Sequence, residues 1–76
     1  MPRFEMYLMF AEKDDNNVET SEYEMVCWVN DPSNMIEVQT AANEVIKDHI
    51  EEAEKEVLFG TASVIIEGQE VLNIGF

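Results

Sequence analysis

Seventy-six residues fit one domain, 1–76, and a chain this short buries only about 60 to 65% of the surface it exposes when unfolded, which leaves room for a single core. Seventeen Asp and Glu against four Lys and Arg give a net charge of −13, yet 46% of the residues are hydrophobic, too many for a disordered acidic tail. Arg3, Lys13, Lys47 and Lys55 are the whole basic inventory. Direct binding to DNA, RNA or an anionic membrane surface, which calls for Lys and Arg, is therefore not expected.

Over residues 3–12, Phe4, Met6, Leu8 and Phe10 alternate with Glu5, Tyr7 and Met9, the period of a strand. Lys13-Asp14-Asp15-Asn16-Asn17 is a polar turn cluster. A second alternation follows over residues 22–30, with Tyr23, Met25, Cys27 and Val29 on one face and Glu22, Glu24, Val26 and Trp28 on the other, so these two strands are expected to form a hairpin.

Asp31-Pro32-Ser33-Asn34 breaks the strand and supplies helix-start chemistry: Asp31 as N-cap with Pro32 at N1, or Asn34 as N-cap with Glu37 at N3. At about 100° per residue, Val38, Ala42, Val45, Ile46, His49, Ile50, Ala53 and Val57 fall in one arc, with Glu37, Glu44, Lys47, Asp48, Glu51, Glu54 and Lys55 opposite. This predicts a long amphipathic helix ending near Leu58, with Gly60 as its stop. Residues 35–39 also alternate like a short strand, and Thr40 is a later candidate cap, but the longer helix is preferred.

Beyond Gly60, Ala62, Val64 and Ile66 alternate with Ser63 and Ile65, and Leu72, Ile74 and Phe76 with Val71 and Asn73. Gly68-Gln69 between them reads as a type II′ turn joining a second antiparallel pair. The expected fold is α+β in the order ββαββ, a four-stranded antiparallel sheet with the helix laid across one face. Phe4, Met6, Leu8, Phe10, Tyr23, Met25, Ile66, Leu72 and Ile74 would pack against the helix stripe.

Catalytic and metal chemistry find little footing. One Cys and one His cannot furnish the usual zinc ligand set, and Asp14-Asp15-Asn16-Asn17 lacks the glycine and the twelfth-position Glu of a calcium loop, so a hairpin turn is the better account. Ser63 sits in no nucleophile elbow, His49 lies on the apolar side of the helix, and Cys27 alternates with core residues. With no Gly-rich phosphate loop either, no cofactor, metal or enzymatic activity is expected. A single cysteine, no apolar run of membrane-spanning length and no basic leader read as a cytoplasmic protein, in the host cytoplasm if the source is viral.

Two binding surfaces stand out. Glu37, Glu44, Asp48, Glu51, Glu52 and Glu54 line the outer and flanking parts of the helix, spaced on the scale of nucleic-acid phosphates. Such rows suit a small acidic inhibitor that occupies the basic surface of a DNA- or RNA-binding protein, the physical class to which viral nucleic-acid mimics belong. A plainly solvated helix face is the competing account. The sheet face away from the helix gathers Tyr7, Met9, Val26, Trp28, Ile65 and Val71 with Glu5, Glu22, Glu24 and Glu67, an apolar centre in an acidic surround. That face suits a self-associating adaptor domain, a possible homodimer through Trp28 and Tyr7.

Overall fold

In the computed structural model, which describes residues 2–76, four strands and one helix follow the expected order. Strands β1 (Arg3–Asp14) and β2 (Asn17–Trp28) come first, then helix α1 (Met35–Glu52), then β3 (Glu56–Ile66) and β4 (Gln69–Gly75). Every neighbouring pair is antiparallel and the sheet order is β2-β1-β3-β4. β1 and β3 are therefore central, while β2 and β4 are edges.

The core follows from strand alternation meeting helix periodicity. Phe4, Met6, Leu8 and Phe10 are all buried on one side of β1. Across β3 they meet the same-facing Val64, Ala62 and Gly60, and across β2 Cys27, Met25, Tyr23 and Ser21. Val38, Ala42 and Ile46, spaced by four along α1, close the cluster from above. Met25, Ile66, Leu72 and Ile74 pack against it half-buried, as expected. Tyr23 departs from expectation: on an edge strand it stays 42% exposed, its ring stacked on Phe10 at 5.8 Å and tilted against His49 at 4.8 Å.

Of the three candidate caps for α1, Asp31, Asn34 and Thr40, the chain uses Asn34, whose side-chain oxygen accepts the backbone N–H of Ile36 at 3.1 Å and of Glu37 at 3.3 Å. Asp31 shapes the loop before it. Its carboxylate accepts the Ser33 N–H and hydroxyl, and its carbonyl accepts the Asn34 N–H. The hydrogen bonds from Ser33 hold the Asp31 carboxyl below its ordinary range.

The helix is shorter than its apolar period suggests. It stops at Glu52, and Ala53 turns to extended backbone (ψ 131°), leaving three residues before β3 begins at Glu56. Val57, Leu58 and Phe59 thus belong to a strand, paired with the far end of β1 through a bulge between Ala11 and Glu12. Gly60 is an interior strand residue, not a helix stop. A Cβ there would lie 2.6 Å from Met9 O, Phe10 Cβ and Phe76 Cζ, because the Phe76 ring covers the glycine while the two residues exchange backbone hydrogen bonds.

Both hairpins form, each with an adjusted turn. Strands β1 and β2 run in unbroken register from Arg3↔Trp28 to Asp14↔Asn17, so the polar cluster contracts to Asp15-Asn16 and each strand reaches 12 residues. The β3–β4 turn is Glu67-Gly68, closed by Ile66↔Gln69, with φ +52° and +79°. Positive φ at both central residues is the type I′ arrangement, so the expected type II′ turn at Gly68-Gln69 is displaced by one residue. At the opposite end, beside the β1–β2 turn, Lys55 ties the layers together, with its Nζ 2.9 Å from Glu19 Oε2 and 3.7 Å from Asp14 Oδ2.

Candidate functional site

Helix periodicity decides which carboxylates share a line. Glu44, Asp48 and Glu52 recur every four residues and are all exposed. They span about 12 Å at 1.5 Å per residue. A groove beside the N-terminal half of α1 is lined by Trp28, Val29, Asn30, Glu37, Thr40, Ala41 and Glu44. A hollow beside its C-terminal half is lined by Tyr23, His49, Glu52, Ala53 and Glu54 among others. Trp28 of β2 walls the first hollow, and Tyr23 of β2 with Phe10 and Glu12 of β1 the second, so Glu44 and Glu52, the two ends of the carboxylate line, lie on the β2 side of the helix.

The other three expected carboxylates have separate surroundings. Glu37 is half-buried and closes the loop before the helix, accepting the Asp31 N–H at 2.7 Å and the Asn30 amide at 3.1 Å. Glu51 lies 3.9 Å from Lys47, one turn earlier. Glu54 falls in the connection to β3, beside Lys13, Asp14, Asp15, Lys55 and Glu56. Among the described residues no ion pair reaches Glu44, Asp48 or Glu52.

This arrangement runs against helix preference. Glu44/Asp48 and Asp48/Glu52 are like-charge pairs at i, i+4, each destabilising by about 0.2 to 0.5 kcal/mol. Glu51 and Glu52 end the helix, with Glu54 and Glu56 just beyond, where the negative end of the helix dipole favours cations. His49 is the only basic-type side chain in the last turn, and its Nδ1 is engaged with the Val45 carbonyl at 2.9 Å.

On the opposite side of the molecule, the register assembles the open sheet face row by row. Trp28 lies beside Arg3; Val26, Glu5 and Ile65 form one row; Tyr7 sits between Glu24 and Ser63; Met9 sits between Glu22 and Thr61. Val71 occupies a bulge next to Ile65. All six apolar residues expected on this face are therefore on it, with Trp28 57% exposed and Tyr7 and Ile65 half-buried. Glu67 is in the turn instead. Phe59, 64% exposed and opposite Ala11, extends the apolar strip. Sequence reasoning missed it by carrying the helix to about Leu58, although the Val-Leu-Phe run is the composition strands favour.

Several polar groups are tuned by neighbours on these surfaces. Interaction with the Glu22 carboxylate, followed by burial, raises the Tyr7 phenol above its ordinary value. Hydrogen bonds from the Asn73 amide, 3.1 Å away, and from Ser63 hold Glu70 below the usual carboxylate range. Glu19 is lowered by its hydrogen bond from Lys55, and Lys55 is raised by the same contact. Burial pushes the half-buried Cys27 thiol upward, away from the reactive thiolate.

Among the described residues no three His, Cys, Asp or Glu side chains converge as metal ligands, and no helix is long and apolar enough to cross a membrane. Comparison with known proteins found no family model, no curated protein and no solved structure that matches this chain. The arrangement itself is one of surfaces: a carboxylate line on one side and an acid-rimmed apolar face on the other.

Proposed function

We propose that this protein is an acidic protein-binding module whose carboxylates engage the basic surface of a DNA- or RNA-binding protein and block it. The carrying observation is the Glu44–Asp48–Glu52 line, exposed and without an ion pair among the described residues. Ordinary helix energetics would dilute those like charges with Lys or move them toward the N-terminus. Charge retained against the stability of its own element is the pattern of a functional surface. Carboxylates four residues apart advance about 6 Å along a helix, against one phosphate per 3.4 Å on each strand of a duplex. The helix line therefore offers roughly half the linear charge density of one strand.

Affinity capture from a lysate tests the proposal. Nucleic-acid-binding proteins should be retained at low salt and released by higher salt or by added DNA or RNA. Retention of only neutral or acidic proteins, indifferent to both, would overturn it.

A second reading rests on a different observation, the exposure of Trp28 and Phe59 on an open sheet face. A self-associating adaptor domain would bury them in an isologous contact. Sedimentation should then show a dimer that Trp28→Glu converts to monomer, and a monomeric wild type would eliminate it.

A further inference from the structure

The two sheet edges are treated differently. Strand β4 is short, seven residues, and a bulge interrupts its pairing opposite Ile65. Those are ordinary devices against unwanted strand addition. Strand β2 has neither: it is 12 residues long, in continuous register, free of Pro, and contains no Lys or Arg. Its outward N–H and C=O groups form a full-length template for another strand.

The surroundings of that edge are negative on both sides. Glu22 and Glu24 project on the open face, and the helix line overlooks the same edge from the other, with Glu44 beside Trp28 and Glu52 beside Tyr23 and Asp48 between them in sequence. A second copy pairing here would bring its own carboxylates against these. A cationic strand meets opposite charge on either side of its pleat, since successive side chains point to opposite faces. We infer that the outer edge of β2 binds an extended, Lys/Arg-bearing segment of the partner by strand addition, held between the helix carboxylates and Glu22 and Glu24.

This inference rests on the acidic-module proposal and specifies its mode: backbone pairing supplies the docking geometry and charge supplies the selectivity. A cationic helix or a rigid basic groove would use the carboxylates without touching the β2 backbone.

The test uses the full chain at low salt with three synthetic decapeptides. One repeats Arg-Arg-Val-Val, which puts Arg on both faces of the strand, one replaces Arg by Glu, and one keeps the Arg-Val sequence but is N-methylated at every Val, which removes donors on both edges without altering charge. The Arg-Val peptide should bind and slow hydrogen exchange of β2 amides. N-methylation should weaken binding at least tenfold, and so should Glu22→Lys with Glu24→Lys, both exposed positions whose folding is checked by dichroism. The Glu-Val peptide should not bind. Equal binding of the N-methylated peptide without β2 protection would overturn strand addition and leave the acidic-module proposal standing. No binding by either Arg peptide would overturn strand addition, while salt-dependent capture of a basic protein would still uphold the module. Protection of β2 that grows with protein concentration alone would mean that a second copy occupies the edge, and the inference would fall.

Discussion

Reversing one charge at the centre of the helix line should stabilise the fold while weakening its proposed activity. Asp48 is exposed and stands one turn from both Glu44 and Glu52. Asp48→Lys removes two like-charge pairs and replaces them with two attractive ones, each pair contributing about 0.2 to 0.5 kcal/mol either way, a swing of about 0.8 to 2 kcal/mol. For a domain of this size 1 kcal/mol corresponds to about 4 to 8 °C, so the melting temperature should rise by roughly 3 to 16 °C at low salt. Asp48→Asn, which only removes the repulsions, should give about half of that. Thermal melts followed by far-ultraviolet dichroism measure both. The gain should largely vanish near 1 M salt, where the Debye length falls to about 3 Å. Absence of a rise at low salt, or a rise untouched by salt, would refute the claim that these carboxylates burden the helix. The same substitution changes the net charge from −13 to −11 and should weaken capture of basic proteins.

Other expectations concern the scaffold. Gly60→Ala forces a Cβ to within 2.6 Å of a backbone oxygen and two phenylalanine carbons, and should destabilise by about 1 to 3 kcal/mol in urea denaturation; a neutral result would mean that Phe76 does not cover the glycine. Glu67→Asn suits the positive φ of +52° and should add about 0.5 to 1 kcal/mol, with a loss indicating a different turn. Moderate acidification from neutral pH should first raise the melting temperature by relieving repulsion within a chain of net charge −13. Glu19, Asp31 and Glu70 have depressed folded-state values, so the stability they contribute is present above their unfolded values and is lost as pH falls through the folded ones. The melting temperature should therefore pass through a maximum on the acid side and fall in the low carboxylate range; a monotonic decline from neutral pH would contradict the repulsion argument.

Much of this architecture was legible in the residues because two periods compete cleanly. Phe4, Met6, Leu8 and Phe10 could only line one face of a strand, and Val38, Ala42 and Ile46 one stripe of a helix, so the ββαββ order and the composition of the core followed. The boundary between α1 and β3 was not legible. Ala53 and Val57 continue the helical arc, and the decision to leave it at Glu52 comes from pairing 56–59 with β1 and from Phe76 closing over Gly60, contacts between residues far apart in sequence. That single shift placed Phe59, just past the expected helix end, on the open sheet face. The turn at Glu67-Gly68 was misplaced by one residue because the Val71 bulge absorbs a residue that a regular hairpin would have paired.

For the candidate surfaces, alternation alone placed Tyr7, Met9, Val26, Trp28, Ile65 and Val71 together, and the register agrees. The acidic set was harder to sort from spacing. Glu37 at N3 was expected to serve the cap, yet its carboxylate reaches back to Asn30 and the Asp31 N–H, which depends on how the preceding loop is wound. Which edge of the sheet the remaining carboxylates overlook depends on the strand order, and nothing local in the helix encodes that.

The most direct test of the acidic-module account is the dissociation constant of a captured basic partner, measured from about 50 to about 200 mM salt for the wild type and for the combined Glu44→Gln, Asp48→Asn, Glu52→Gln variant. The account predicts wild-type affinity that falls steeply with salt and a variant that binds more weakly with a shallower dependence. Identical affinities and slopes for the two proteins would contradict it.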